Sequence, residues 1–219
     1  MELREVMRST PATRRFLADP IPRETLVRVL DDARFAPSGG NRQGWRVVAV
    51  EDPHRRETLR DLYLPPWRAY MERTGGAALL ADPEAADPAV LRRVRAANEF
   101  AEALHEVPLH LVVWVRLADL AITDAQLDRP SVVGGASVYP FVQNVLLRLR
   151  DEGLGASLTT LLVPAEAEVR QLLEVPDEFA LAAYLAVGRR DGAWPKQLSR
   201  RPVHDFAFLE RFGEPLTSD

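Results

Sequence analysis

The chain has 219 residues, with 28 Lys and Arg against 32 Asp and Glu, a formal charge of -4 and no cysteine. At 47% hydrophobic and 27% charged residues, it has the composition of a folded domain and not of a disordered or fibrous chain. Mild acidity gives no general attraction to nucleic acid or anionic lipid, and the lack of Cys excludes disulfides, thiolate metal sites and thiol catalysis.

MELREVMRST mixes charged and apolar residues, unlike a secretory signal, and no run approaches the roughly 20 apolar residues of a membrane span. A cytoplasmic location without nucleic-acid or membrane partners is the expectation. Glu2 to Arg8 predicts a short helix with Leu3, Val6 and Met7 on one apolar side, interrupted by Pro11. After DPIP at Asp19 to Pro22, RETLVRVLDDARFA predicts a helix whose stripe is Leu26, Val27, Leu30 and Ala33, stopped by Pro37. Arg46 to Val50 reads as a short buried strand, and DPHRRETLRDLYL as a capped helix starting near Asp52 or Pro53. Between Leu62 and Glu106, two helices separated by Gly75 to Pro88 form a candidate lid.

Leu109 to Val115 predicts a strand, and Ser137 to Arg150 a helix through Val138, Phe141, Val142, Val145, Leu146 and Leu149, ended by Gly153 to Gly155. Ser157 to Val163 reads as a strand, Pro164 to Leu173 as a helix and Phe179 to Val187 as a last core strand. Helices and strands are interspersed as in an α+β or α/β domain. From Gly188 the chain is arginine-rich and irregular, a tail that needs a partner surface to order it.

The chemistry concentrates in APSGGNRQGW. Ser38, Asn41 and Gln43 offer a hydroxyl and two amides that can read the donor and acceptor edge of a heteroaromatic ligand, and Gly39 and Gly40 permit close approach. A capped helix-stop turn would use the same residues. Arg14 and Arg15, with Arg189, Arg190, Arg200 and Arg201, suit a phosphate if the two ends of the chain converge, and otherwise cover a solvated face. GGAS at Gly134 to Ser137 opens a helix in which Gln143 and Asn144 break the apolar pattern, a role that interhelical hydrogen bonding explains equally. Tyr63, Trp67 and Tyr70 lie at helical spacing, as either a substrate wall or a core or subunit-interface stripe. His54, His105, His110 and His204 form no compact metal motif, so no metal site is expected, and there is no nucleophile elbow, phosphate loop or Rossmann fingerprint.

APSGGNRQGW after an ARF-ended helix and before RVVAV, together with TRRF, GGASVYPFVQNVLLRLRDEGLG, SLTTLL and AVGRRDGAWPKQLSRRP, resembles the FMN-dependent nitroreductase family over most of the chain. The resemblance implies a three-layer α+β fold with a central, mainly antiparallel sheet flanked by helices. It implies one domain over 1–219, with 62–106 as a helical lid excursion and 188–219 as a tail embracing the second subunit of a homodimer. Arg14 matches the family's phosphate contact, and because Thr10 and Ala12 replace its usual basic and hydroxyl residues, phosphate binding shifts toward Arg8. Arg200 is the best tail match for completing the phosphate site, with Arg201 next. Ser38, Asn41 and Gln43 would lie on the isoalloxazine side, although Gly44 stands where the family often has proline. Gln143 and Asn144 would face the flavin side of the core, and the Thr160 amide would meet flavin N5 as the catalytic contact. The implied activity is ping-pong: NADH or NADPH reduces FMN, and a small planar acceptor such as a nitroaromatic or quinone then takes the electrons, with Tyr63, Trp67 and Tyr70 as candidate substrate contacts. Reduction of a conjugated carbonyl, a non-redox flavin-binding or flavin-modifying protein, and a regulatory domain for an anionic effector are the alternatives.

Overall fold

The seven consecutive residues Leu109 to Val115 are all buried, the mark of a strand covered on both faces. This strand, β2 (Leu109–Arg116), runs through the middle of a sheet that also contains β1 (Trp45–Val50), β3 (Leu154–Thr159) and β4 (Phe179–Arg189). The computed structural model describes residues 1–217. Strand order is β1-β2-β4-β3 and all three pairings are antiparallel. Side chains alternate along β2: Leu109, Leu111, Val113 and Val115 enter one core cluster, Val112 and Trp114 the other. On β4 a register shift opposite Val113 and Trp114 turns both Ala182 and Ala183 toward the first cluster.

Helices cover both faces, giving the three-layer α+β architecture. The first layer holds α2 (Arg23–Ala33) and α6 (Tyr139–Asp151), with α1 (Leu3–Ser9) beside α6. The second holds α3 (Pro53–Arg73), α4 (Gly76–Ala81), α5 (Pro88–Glu102) and α7 (Glu166–Leu173). Segment 62–106 is thus the end of α3 followed by α4 and α5, packed into that layer through Tyr63, Trp67, Met71, Ala101 and Leu104. Among the described residues no helix is long and apolar enough to cross a membrane.

Four local expectations are corrected. α3 does not stop near Leu64 but continues to Arg73, although Pro65 and Pro66 remove the helical bonds to the Asp61 and Leu62 carbonyls. Its buried stripe Leu59, Tyr63, Trp67 and Met71, spaced by four throughout, holds it together across the break. On α2 Val29 and Ala33 are buried and Leu26 and Leu30 pack against the same core as expected, but Val27 is exposed. On α1 only Val6 of the expected trio is buried, leaving Leu3 and Met7 facing solvent. Gly153 makes the left-handed turn after α6 at φ +77°, but Leu154 and Gly155 already belong to β3, which ends at Thr159.

Gly155 and Gly188 are cross-strand partners at the foot of β3 and β4. A Cβ on Gly155 would lie 2.8 Å from Thr13 Cβ, and one on Gly188 2.9 Å from the Phe16 ring. The paired absence of side chains lets residues 13–16 cross the end of the sheet, which sets the direction in which Arg14 and Arg15 leave it.

Candidate functional site

The Thr13 amide donates to the Ala156 carbonyl at 2.8 Å, so that carbonyl points away from β4 toward the open edge of β3. Backbone polar groups alternate along a strand, and continuing the alternation turns the Thr160 N–H to the same open side. Thr160 is exposed, and the Thr159 hydroxyl accepts from the Leu161 amide at 3.1 Å, shaping the turn that leaves the strand. Arg14 is exposed and pairs with no carboxylate among the described residues. It lines a cavity of about 850 Å³ with Arg15, Phe16, Arg93, Phe100 and Arg190. Burial pushes the neighbouring Tyr63 phenol above its ordinary pKa, partly offset by a hydrogen bond with Thr159 and by the Arg14 charge.

The two arginine-rich ends of the chain converge. Leu17 donates to the Arg189 carbonyl at 2.9 Å, Asp191 to the Arg15 carbonyl at 3.0 Å and Leu198 to the Arg8 carbonyl at 2.8 Å. Arg15 and Asp191 add an exposed ion pair at 2.8 Å. Trp194 lies over the buried Arg150 guanidinium at 3.9 Å, while Arg150 also reaches Ser9 Oγ at 3.3 Å. The anchor at Arg8 stands two residues before Arg200, and Arg8, Arg200 and Arg201 are all exposed. Neither Arg150 nor Trp194 is marked by sequence pattern; a basic residue near the end of an amphipathic helix ordinarily faces solvent.

The polar turn is built at the head of β1. Ser38 Oγ accepts from the Gln43 amide at 3.0 Å, Gln43 Nε2 donates to Asn41 Oδ1 at 3.0 Å, and the Gly39 amide donates to Ser137 Oγ at 3.0 Å. Gly40, Asn41 and Gln43 all have left-handed φ, at +59°, +54° and +48°. Such a backbone is ordinary for glycine and tolerable for asparagine, but strained for glutamine. Directly after the turn, Trp45 is buried and stacks on Phe141 of α6 at 4.9 Å. The internal bonds leave the Ser38 O–H, the Asn41 amide protons and Gln43 Oε1 unspent. Donors beside an acceptor complement a heterocycle edge that alternates carbonyls with an N–H. The GGAS segment contributes here through Ser137, as a support for the turn.

Asn144 donates to the Ala33 carbonyl of α2 at 3.4 Å, an interhelical contact, and Gln143 is exposed. Tyr63 and Trp67 are buried, with ring centroids 6.2 Å apart and Trp67 Nε1 bonded to Asn98 at 3.0 Å, so they pack the core; Tyr70 alone of the three is partly open, at 36%. His110 is fully buried: Nδ1 accepts from the Tyr184 hydroxyl at 2.6 Å and Nε2 donates to the Leu104 carbonyl at 3.0 Å. Burial lowers its pKa to about 3, keeping the ring neutral.

Within one subunit the turn and the arginine edge stay apart. β1 and β3 are opposite edges of the sheet. Register places Trp45 level with Val115 of β2, and Ala156 level, through Val187, with Leu109. Three strand spacings and six residues of strand separate the two sets, roughly 14 Å across and 20 Å along.

The profile of the nitroreductase family ("Nitroreductase family") matches residues 7–189. A 5,6-dimethylbenzimidazole synthase of Rhodospirillum rubrum is 33% identical over 208 residues, covering 91% of this chain and 82% of that protein. An iodotyrosine deiodinase of Thermotoga neapolitana is 28% identical over 194 residues, 89% of this chain and 91% of that one. Among solved structures, oxidized iodotyrosine deiodinase bound to FMN and 3-iodo-L-tyrosine superposes with a TM-score of 0.69 at 24% identity, covering 94% of this chain and all of that one. An FMN and NADPH-dependent nitroreductase from a Sphigopyxis strain gives the same TM-score at 22% identity, covering 97% and 100%. With its three-layer fold, its edge strand and its polar turn in place, the chain belongs to the nitroreductase family.

Proposed function

We propose that the protein is an FMN-dependent NAD(P)H oxidoreductase that works as a homodimer, each flavin lying between the arginine edge of one copy and the polar turn of the other. One observation carries this reading: the two ligand-ready sets occupy opposite corners of one sheet, so a single subunit cannot close a site that uses both. A second copy related by a two-fold axis would join them twice. Exposed apolar side chains on α1 (Leu3, Met7) and α2 (Val27), with Phe35 beyond α2 and Phe206 and Phe212 in the tail, offer surface for such an interface.

The residues present fit FMN. Arg14, which pairs with no carboxylate among the described residues, would bind the phosphate, with Arg8, Arg200 and Arg201 supplied by the converging ends. The outward Thr160 amide would donate to flavin N5. Ser38, Asn41 and Gln43 would hold the pyrimidine edge, and Asn144 acts through α2 as scaffold. When bound, FMN supplies the redox chemistry, taking a hydride from NADH or NADPH and giving electrons to a small planar acceptor, a nitroaromatic or a quinone, in ping-pong order. The protein's part is to orient the ring and neutralise its phosphate; no side chain needs to act as nucleophile. The relatives named a nitroreductase and a deiodinase support reductive chemistry in this fold.

A second reading, a flavin-modifying protein, is favoured by the 33% identical relative, whose named product carries a dimethyl-substituted benzene ring like that of isoalloxazine. Reduction of a conjugated carbonyl is a third use of the same site. Anaerobic reduction of the FMN-loaded protein by each nicotinamide, followed by an acceptor panel with carbonyls included, separates them. Bleaching by NADH or NADPH, with FMN recovered intact after turnover, supports the oxidoreductase. Loss of FMN on re-oxidation supports the modifying reading, and a protein that binds no FMN overturns both.

A further inference from the structure

We propose that Arg116 and Asp119 are positioning residues that lock the Ser38 to Gln43 turn into its ligand-ready form before any flavin arrives. The inference rests on reading that turn as the contact for the flavin ring. Arg116 ends β2, and Asp119 closes the single helical turn Leu117–Asp119 that follows. The guanidinium takes both carboxylate oxygens, Nε to Oδ2 at 2.7 Å and Nη2 to Oδ1 at 2.9 Å. The same residue's amide donates to the Gly44 carbonyl at 2.9 Å. Asp119 is only 9% exposed and lies flat against Gly44, where a Cβ would fall 2.7 Å from its own. Arg116, with Arg42 and Arg46 nearby, holds the Asp119 carboxyl below its ordinary pKa, so the clamp stays charged.

The clamp therefore meets the backbone one residue after Gln43, the strained left-handed position. Sparsely populated backbone conformations persist only where the surroundings over-determine them. The Ser137 contact at Gly39 fixes the opposite end of the turn. Between these two anchors, the Ser38 to Gln43 bond and the Gln43 to Asn41 bond hold the polar groups in register. Arg116 is 45% exposed on its side chain, and pairs of that kind add little to global stability. Its weight should fall on the order of the turn, which decides how much ordering a ligand must supply on binding.

The test compares Asp119→Asn and Arg116→Gln in the full chain. In flavin-free protein, amide hydrogen exchange at Gln43 and Gly39 should accelerate about tenfold while the unfolding midpoint moves little, and FMN affinity should fall about tenfold. Bound flavin in the variants should show a perturbed visible spectrum, and Arg116→Lys, which keeps the charge without the fork, should restore part of the affinity. Unchanged exchange at Gln43 in both variants overturns the clamp, as does an equal rise across the whole chain. A parent protein that binds no FMN, with exchange still faster in the variants, sinks the flavin reading and leaves the clamp standing. A parent whose FMN affinity depends on Asn41 but not on Asp119 does the reverse.

Discussion

The polar turn at the head of β1 and the arginine-rich tail at the foot of β4 present polar groups to a ligand by opposite means. The turn is held by short-range bonds between residues five or fewer apart, with Ser137 and Gly44 contacts closing its ends. The tail has no regular structure over 190–201 and is held by isolated backbone bonds to α1 and to residues 15–17, together with one stacked indole. One region is organised before binding; the other has few anchors and exposed arginines, and gains most from a second surface. Ring recognition can then be rigid while phosphate capture is completed on assembly.

Acid should break both regions together, through the core they share. His110 has its pKa lowered from 6.5 to about 3, so the unfolded chain binds its proton first as the pH falls. The stability this neutral ring preserves is complete above about 6.5 and is lost progressively down to about 3, at most about 5 kcal/mol. Urea melts at stepped pH should show that decline, and His110→Gln should flatten it. Gly155→Val comes next: forcing a branched side chain against Thr13 should cost about 1–3 kcal/mol and unseat Arg14, seen as a lower urea midpoint and weaker FMN binding.

Arg14→Ala attacks the phosphate end alone. Loss of a charge-assisted contact worth about 1.5–3 kcal/mol should weaken FMN binding by roughly 10- to 100-fold and leave hydride transfer in the saturated enzyme nearly unchanged. Equal flavin affinity in mutant and parent titrations would remove Arg14 from the site. Trp194→Ala sharpens the contrast further: losing the stack on Arg150, about 1 kcal/mol, should speed proteolysis within 190–201 without altering exchange in the turn. Smallest is Ser38→Ala, about 1 kcal/mol or less, read as faster amide exchange at Gln43 with the tail untouched.

Much of this was legible in one dimension. Apolar runs located β2 and β4, periodicity located α2 and α6, and the order of polar residues in APSGGNRQGW marked a turn between helix and strand. Where local rules failed, a long-range contact had prevailed. DPHRRETLRDLYL read as a helix of its own, yet the buried stripe of α3 carries that helix through Pro65 and Pro66 to Arg73. Val27 fits an apolar stripe by spacing, yet α2 turns Val29 inward. The Tyr63, Trp67 and Tyr70 row left wall and core open, and packing against Tyr184 and Asn98 places its first two members inside.

By itself the sequence determined the alternation of elements, the chemistry of the turn and the density of arginines at both ends, because these depend on residues near one another along the chain. Tertiary structure decided that the arginine ends meet, that Asp119 rests on Gly44, and that turn and arginine edge occupy opposite corners of the sheet. Those facts depend on strand order and register, which join residues distant along the chain and leave no periodic trace in the local pattern.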